Sequence, residues 1–276
     1  MKLTDLMHSA VRHGITFFDC AEGYGGGTCE SRLGRILHDT STDNDINHAT
    51  IKNGTVGILC DGNQSDPTKL TITNSQVYNS SNFGILGRAT SIYGENLVIN
   101  NSGQSSFAGT IGGSYNFVHS TFANYWSNSF RQFPSVFLNN FVLDENLEPI
   151  PNPLDAANFT NCIIYGNDNP EFLVERDSGA AFAFKLTECL IRFNDPNGNF
   201  SGNELYNFND DTYYEGLIRN DDPLFLDPQA NKFQIPNESP ANGEAIPFGI
   251  LNSDITNTTR GNPADLGAYE SDDLDD

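Results

Sequence analysis

No run in this sequence approaches the ~20 apolar residues of a membrane span, so insertion into a bilayer is not expected. Cations are scarce. The 276 residues carry 14 Lys and Arg against 36 Asp and Glu, a formal net charge of −22. Such a surface repels nucleic acid and anionic membranes, and neither is an expected partner. The five cysteines (Cys20, Cys29, Cys60, Cys162, Cys189) are odd in number and show no CxxC or Cys/His metal spacing, so small buried thiols are expected rather than a disulfide framework. The opening MKLTDLMHSAVRHG places Asp5, His8, Arg12 and His13 where the apolar core of a signal peptide would run. As written, the chain is expected in the cytoplasm.

What is present falls into two unlike parts with a seam near residue 40. Leu3, Leu6, Met7, Ala10 and Val11 recur at helical spacing, and Gly14 ends that helix. Ile15 to Phe18 is a β-branched and aromatic run that suits a buried parallel strand ending at Asp19. A Gly-rich loop follows, and Glu30 to Leu37 resumes a helical period. FFDCAEGYG (17–25) with ESRLGRIL (30–37) resembles the aldo/keto reductases, over roughly residues 3–38. That resemblance implies an NADPH-dependent carbonyl reductase with an Asp, Tyr, Lys and His tetrad. Asp19 and Tyr24 match its Asp and proton-donating Tyr, and Lys52 stands at a plausible distance for its Lys. No histidine lies between His48 and His119 to supply the fourth member, and the ~250 residues of alternating strand and helix in such a barrel do not follow. Reductase activity is therefore not expected, and NADPH enters only under that alternative.

From residue 46 the chain repeats short strands with Asn-rich turns. Ile51, Val77, Val98, Phe122, Ile164 and Ile191 form a column at steps of 26, 21, 24, 42 and 27 residues, the spacing of solenoid coils with one insertion. Two positions earlier stand Ala49, Ser75, Asn96, Ser120, Cys162 and Cys189, and two positions later Asn53, Asn79, Asn100 and Asn124. An apolar ladder beside a small-residue ladder predicts strands stacked in register, and the Asn run predicts turns bonded from coil to coil. The expected fold is all-β, a right-handed parallel β-helix preceded by a short helix-strand-helix segment. Its divisions are 1–39, coils over 40–205, and a C-terminal cap with an acidic tail over 206–276.

NHATIKNGTVGILCDG, LTITNSQVYNSSNFGILG and GGSYNFVHSTFANYW, with the ending RGNPADLGAYES, resemble the parallel β-helix repeat proteins of the pectin-lyase-like superfamily over about residues 46–271. The resemblance implies a bacterial, extracytoplasmic or cell-surface protein whose C-terminal segment closes the last coils. It also raises polysaccharide cleavage, either by a Ca²⁺-assisted lyase with an Arg or Lys base or by a hydrolase with paired carboxylates. Lys69, Arg88, Arg131, Arg176, Lys185 and Arg192 sit in no lyase motif, and Asp210-Asp211 and Asp221-Asp222 lie in the cap region. His119 reads as a packing or turn residue. The expectation is a glycan-binding or structural surface module without established catalysis, needing no cofactor. The alternative is the Ca²⁺-dependent polysaccharide lyase or hydrolase, whose metal ligands the sequence leaves unknown. Tyr125 and Trp126, in the aromatic stretch 115–130, are the candidate glycan-binding residues, with most of the neighbouring rings expected inside the coils. ENLEPIPNPLDAA is the loop expected to project.

Overall fold

The computed structural model describes residues 17–19 (backbone only), 44–62, 69–249 and 251–273. Its parallel strands pair into one 16-stranded sheet that curls round into a parallel β-helix with three faces per coil. Face A begins with Asn44–Asn47 and continues at 70–73, 92–95, 115–118 and 157–160, then Lys185–Thr187 and Tyr214–Glu215. Face B runs from Thr50–Lys52 through 76–78, 97–102, Thr121–Asn124, Ile163–Gly166 and Leu190–Ile191 to Ile218–Arg219. Face C stacks Val56–Asp61, 83–88, 107–109, Val136–Asn139 and Phe172–Glu175.

Residues in left-handed conformation set the corner between faces A and B. His48, Asn74, Asn96, His119, Asn161 and Glu188 have φ of 54, 49, 52, 45, 55 and 46°. Asn dominates because its short amide tolerates this region best after glycine. The corner between B and C uses the same device at Asn53, Asn79 and Asn101.

Three inward columns fill the interior. Face B contributes Ile51, Val77, Ile99, Phe122, Ile164 and Ile191, face C Ile58, Ile85, Phe107, Val136 and Phe172, and face A Ile72, Phe117, Phe159 and Leu186. Phe107, Phe117, Phe122 and Phe159 meet at centroid distances of 4.8 to 6.3 Å. Tyr115 fits the same core because Gly87 and Gly109 face its ring, where an added Cβ would stand 2.8 and 2.7 Å away.

Three expected ladder members are corrected by one position, the first being Asn96, which lies at the corner while Leu97 stands opposite Ser75. The register places Ile99, not Val98, between Val77 and Phe122, and it is Asn101, not Asn100, that joins the turn ladder. The cause is that the outer side of face B is not solvated. After Arg219 the chain turns back along it, and Val98, Ala123, Ile163, Tyr165 and Leu190 pack against Phe225, Phe233, Ile235, Leu266 and Tyr269. With apolar residues on both sides, the alternation that marks a half-buried strand disappears.

The coils therefore continue past residue 205, and the C-terminal segment is a lateral strap rather than only a lid on the last coils. Arg260 fastens it, donating from Nη2 to Asn96 Oδ1 (2.8 Å) and Gly267 O (3.1 Å) and from Nη1 to Glu270 Oε1 (2.7 Å). Asn161 exchanges two hydrogen bonds with the Ile246 backbone (2.8 and 3.1 Å), and Gln76 Nε2 reaches Tyr269 Oη at 3.5 Å. The last coil is closed by loop 194–213, whose rings stack on the core: Phe184 on Tyr213 at 4.7 Å, and Phe208 on Phe193 and Tyr214 at 4.9 and 4.7 Å. There the face B column ends on a charge, since Arg219 follows Ile191 in register and its guanidinium lies 4.5 Å from the Phe208 ring centroid.

At the other end Phe17–Asp19 pairs in parallel with Thr50–Lys52 and adds a rung to face B. The helices expected over 3–13 and 30–38 lie outside the described residues, among which no helix is long and apolar enough to cross a membrane. The Pro-rich excursion projects as an antiparallel hairpin, Phe141–Leu143 with Pro149–Pro151.

Candidate functional site

Loop 125–135 leaves face B after Asn124 and re-enters the coil at Val136, and its course is set by two buried anchors. The Asn124 side chain donates to Ser102 O (2.9 Å) and Gln104 O (3.1 Å) and accepts from the backbone N–H of Ser102 (3.1 Å) and Trp126 (3.3 Å). An amide with all its bonding capacity used cannot rotate without leaving a buried group unpaired, so the start of the loop is fixed. At the far end Arg131 forks onto Glu171, whose carboxylate also accepts from the N–H groups of Ser135 (2.8 Å) and Asp168 (3.0 Å).

Between these anchors Trp126 lies half-buried beside Gly103, an added Cβ of which would stand 3.5 Å from the indole. Its Nε1 donates to Ser129 Oγ at 2.8 Å. The ring faces the B–C corner and lines a groove of about 360 Å³ with Asn53, Gly54, Asn79, Ser81, Asn101 and Asn128. In that corner Asn79 Nδ2 donates to Asn53 Oδ1 (3.4 Å), and Asn101 Nδ2 to Asn79 Oδ1. A carboxamide offers two N–H groups and two lone pairs. The middle rung spends one of each on the ladder and keeps one of each for the groove.

A larger hollow, about 680 Å³, opens at the end of the solenoid against Phe193, Phe200, Tyr206, Phe208 and Arg219. Several of its polar groups already serve the end closure. Asp195 accepts from the N–H of Asn199 (2.8 Å) and Phe200 (2.9 Å), Glu204 pairs with Arg176, and Arg219 stacks on Phe208. The Trp126 groove is the better candidate because a half-buried indole stands there beside a continuous ladder of amides that retain unspent bonds.

The residues singled out by sequence are scattered. The strand register sets Asp19 beside Lys52, whose Nζ lies 5.9 Å from the Tyr78 ring centroid, while Tyr24 lies outside the described residues. Tyr125 does not line the groove. It packs beneath the strap, 6.4 and 6.2 Å from the Phe225 and Phe233 rings, and burial pushes its hydroxyl pKa up. Of the neighbouring rings Tyr115 and Phe117 are fully buried, whereas Phe130 is 87% exposed.

The candidate bases are held in structural bonds. Arg88 pairs with Asp61, Arg176 with Glu204, and Lys185 with Glu215 (2.6 Å), while Arg192 Nη1 donates to Gly166 O at 2.6 Å. His119 is buried, its Nδ1 3.2 Å from Asp265 O and its Nε2 accepting from Asn161 Nδ2 at 2.9 Å. Burial, reinforced by the Arg260 charge, lowers its pKa to about 3. It is a neutral corner residue. The Thr212 side chain holds Asp210 below the usual carboxylate range, and Asp222 accepts from Leu224 N (2.9 Å). Among the described residues no three His, Cys, Asp or Glu side chains are grouped so as to hold a metal ion.

Sequence reading did not assign Asn79 and Asn101 to a groove, because a turn ladder and a binding surface share one signature. Nor did it find the Arg131–Glu171 anchor, whose partners stand 40 positions apart.

Residues 2–70 match the aldo/keto reductase family, a stretch that in the structure includes the opening strands of faces A, B and C. No curated protein matches the sequence. Among solved structures the crystal structure of pectate lyase Pel9A is similar at 13% identity with a TM-score of 0.40, covering 83% of this chain. The chain spans 60% of the length of that structure.

Proposed function

We propose that this β-helix is a glycan-binding module of the extracytoplasmic or cell-surface kind, whose binding surface is the groove beneath Trp126. The observation that carries the reading is the pairing of a half-buried indole with a ladder of carboxamides that keep unspent donors and acceptors. An indole face packs on the C–H face of a sugar ring, and side-chain amides bond its hydroxyls. Both elements sit on rigid parts of the fold, so little ordering cost is incurred on binding.

The reading calls for no cofactor. It is favoured over cleavage because Asp210, Asp222 and most of the candidate bases are engaged in structural bonds, and a fold alone does not confer chemistry. The aldo/keto reductase alternative requires a barrel to hold the nicotinamide, and the described residues between 44 and 219 form coils instead. The test is affinity electrophoresis of the full chain in gels carrying a panel of polysaccharides, with reducing ends and unsaturated products followed in parallel, with and without Ca²⁺. Retardation without product formation is expected. Ca²⁺-dependent products would overturn the binding reading in favour of a lyase, and movement unaltered in every gel would remove the glycan.

A further inference from the structure

We infer that the glycan is neutral, not acidic; this rests on the groove being the binding surface. Among the described residues seven line the groove and none of them carries a charge: four are asparagines, with one serine, one glycine and the tryptophan. Recognition of a uronate or sulfated sugar needs a cation to replace the water lost from the anion, most effectively the fork of an arginine. The cations nearest in sequence are held elsewhere, the Lys52 ammonium lying 5.9 Å from the centre of the Tyr78 ring. Arg88 is paired with Asp61, and Arg131 is buried on Glu171 with its Nε 3.1 Å from Asp168. The field of the whole molecule acts in the same direction, because a net charge of −22 repels a polyanion before contact.

What the groove does offer suits hydroxyls. Stacked strands repeat at ~4.8 Å, so the three amide rungs Asn53, Asn79 and Asn101 present alternating donors and acceptors at a pitch close to the length of one hexose in an extended β-linked chain. A neutral chain lying along the solenoid axis meets one rung per sugar, with the indole covering one ring face. Carboxamides neither attract nor repel through charge, so binding is insensitive to salt.

The experiment compares the full chain in gels containing glucomannan or mixed-linkage β-glucan with gels containing polygalacturonate or alginate, at low and high salt. Association at least tenfold stronger with a neutral polymer, unchanged within about twofold between salt conditions, is expected. Asn79→Asp, which replaces the spare amide donor and the one bonded to Asn53 by a carboxylate at a position whose left-handed backbone Asp tolerates, should weaken neutral binding about tenfold with only a small fall in the melting temperature, since the lost ladder bond is exposed. Retardation by the acidic polymers alone, weakening as salt rises, would overturn this inference and leave the glycan-binding reading standing. Retardation by none of the four polymers would sink both.

Discussion

Arg131 and Glu171 form a bidentate ion pair in which both side chains are almost wholly withdrawn from water, with Nη1–Oε2 at 2.8 Å and Nη2–Oε1 at 2.6 Å. The pair holds the end of the loop that presents Trp126. Glu171→Gln keeps the shape but removes the buried counter-charge and leaves the guanidinium only the half-exposed Asp168 beside Nε, which costs about 3 kcal/mol. Urea unfolding should show that loss, and glycan retardation should fall with it. The double change Arg131→Met with Glu171→Leu should recover only part of the stability, since it leaves no buried charge unpaired but strands the N–H groups of Ser135 and Asp168 that bond to Glu171. A single-mutant loss below about 1 kcal/mol would contradict the anchoring role.

Neighbouring aromatics should separate cleanly. Trp126→Ala removes a ring that lines the groove and should weaken glycan binding at least tenfold while leaving the melting temperature nearly unchanged. Tyr125→Ala empties a space beneath the strap and should cost about 2–3 kcal/mol of stability, with binding retained in the folded fraction. Affinity gels and thermal melts on the two variants decide it; exchanged phenotypes would mean that the groove is misassigned.

His119 gives a pH signature. Its folded pKa of about 3 lies below the ~6.5 of an unfolded histidine, so between those values the unfolded chain binds the extra proton. The contribution is fully present above pH ~6.5 and is lost progressively as pH falls toward 3, at no more than about 1.4 kcal/mol per unit. His119→Asn, which suits the left-handed corner, should flatten this part of the stability-versus-pH curve measured by urea titration. An unchanged slope would mean that His119 is protonated in the folded state.

Val98 and Ile99 are adjacent but face opposite sides of one strand. Ile99→Asp should prevent folding of the coils. Val98→Asp should instead loosen the strap, exposing residues 220–273 to limited proteolysis while the strands of the solenoid survive. The same result from both variants would contradict the register.

That pair also marks where the sequence was legible and where it was not. Ile51, Val77, Phe122, Ile164 and Ile191 could be read as a column because each apolar residue recurs at coil spacing. Val98 and Ile99 could not be told apart, since the strap makes both sides of face B apolar, and a covering made by residues more than a hundred positions away leaves no trace in local periodicity. Trp126 could be singled out as the lone tryptophan in an aromatic stretch. The surface it overlooks could not, because the asparagines that bend the backbone are the same ones that line the groove.

A stack of coils held only by nearest neighbours has no unique length and can fray one level at a time. Here Gln76 is bonded to Tyr269 across 193 positions, and Asn96 to Arg260 across 164. Contacts of that span turn a linear array into a closed circuit. Opening a coil that the strap covers therefore costs the strap contacts too, and the early coils reach their full stability only once Arg260 and Tyr269 have been laid back over them. A topology so dominated by distant pairings also folds slowly. The strap thus does more than add a level, and a chain cut short before Arg260 would lack the fastening rather than merely one repeat.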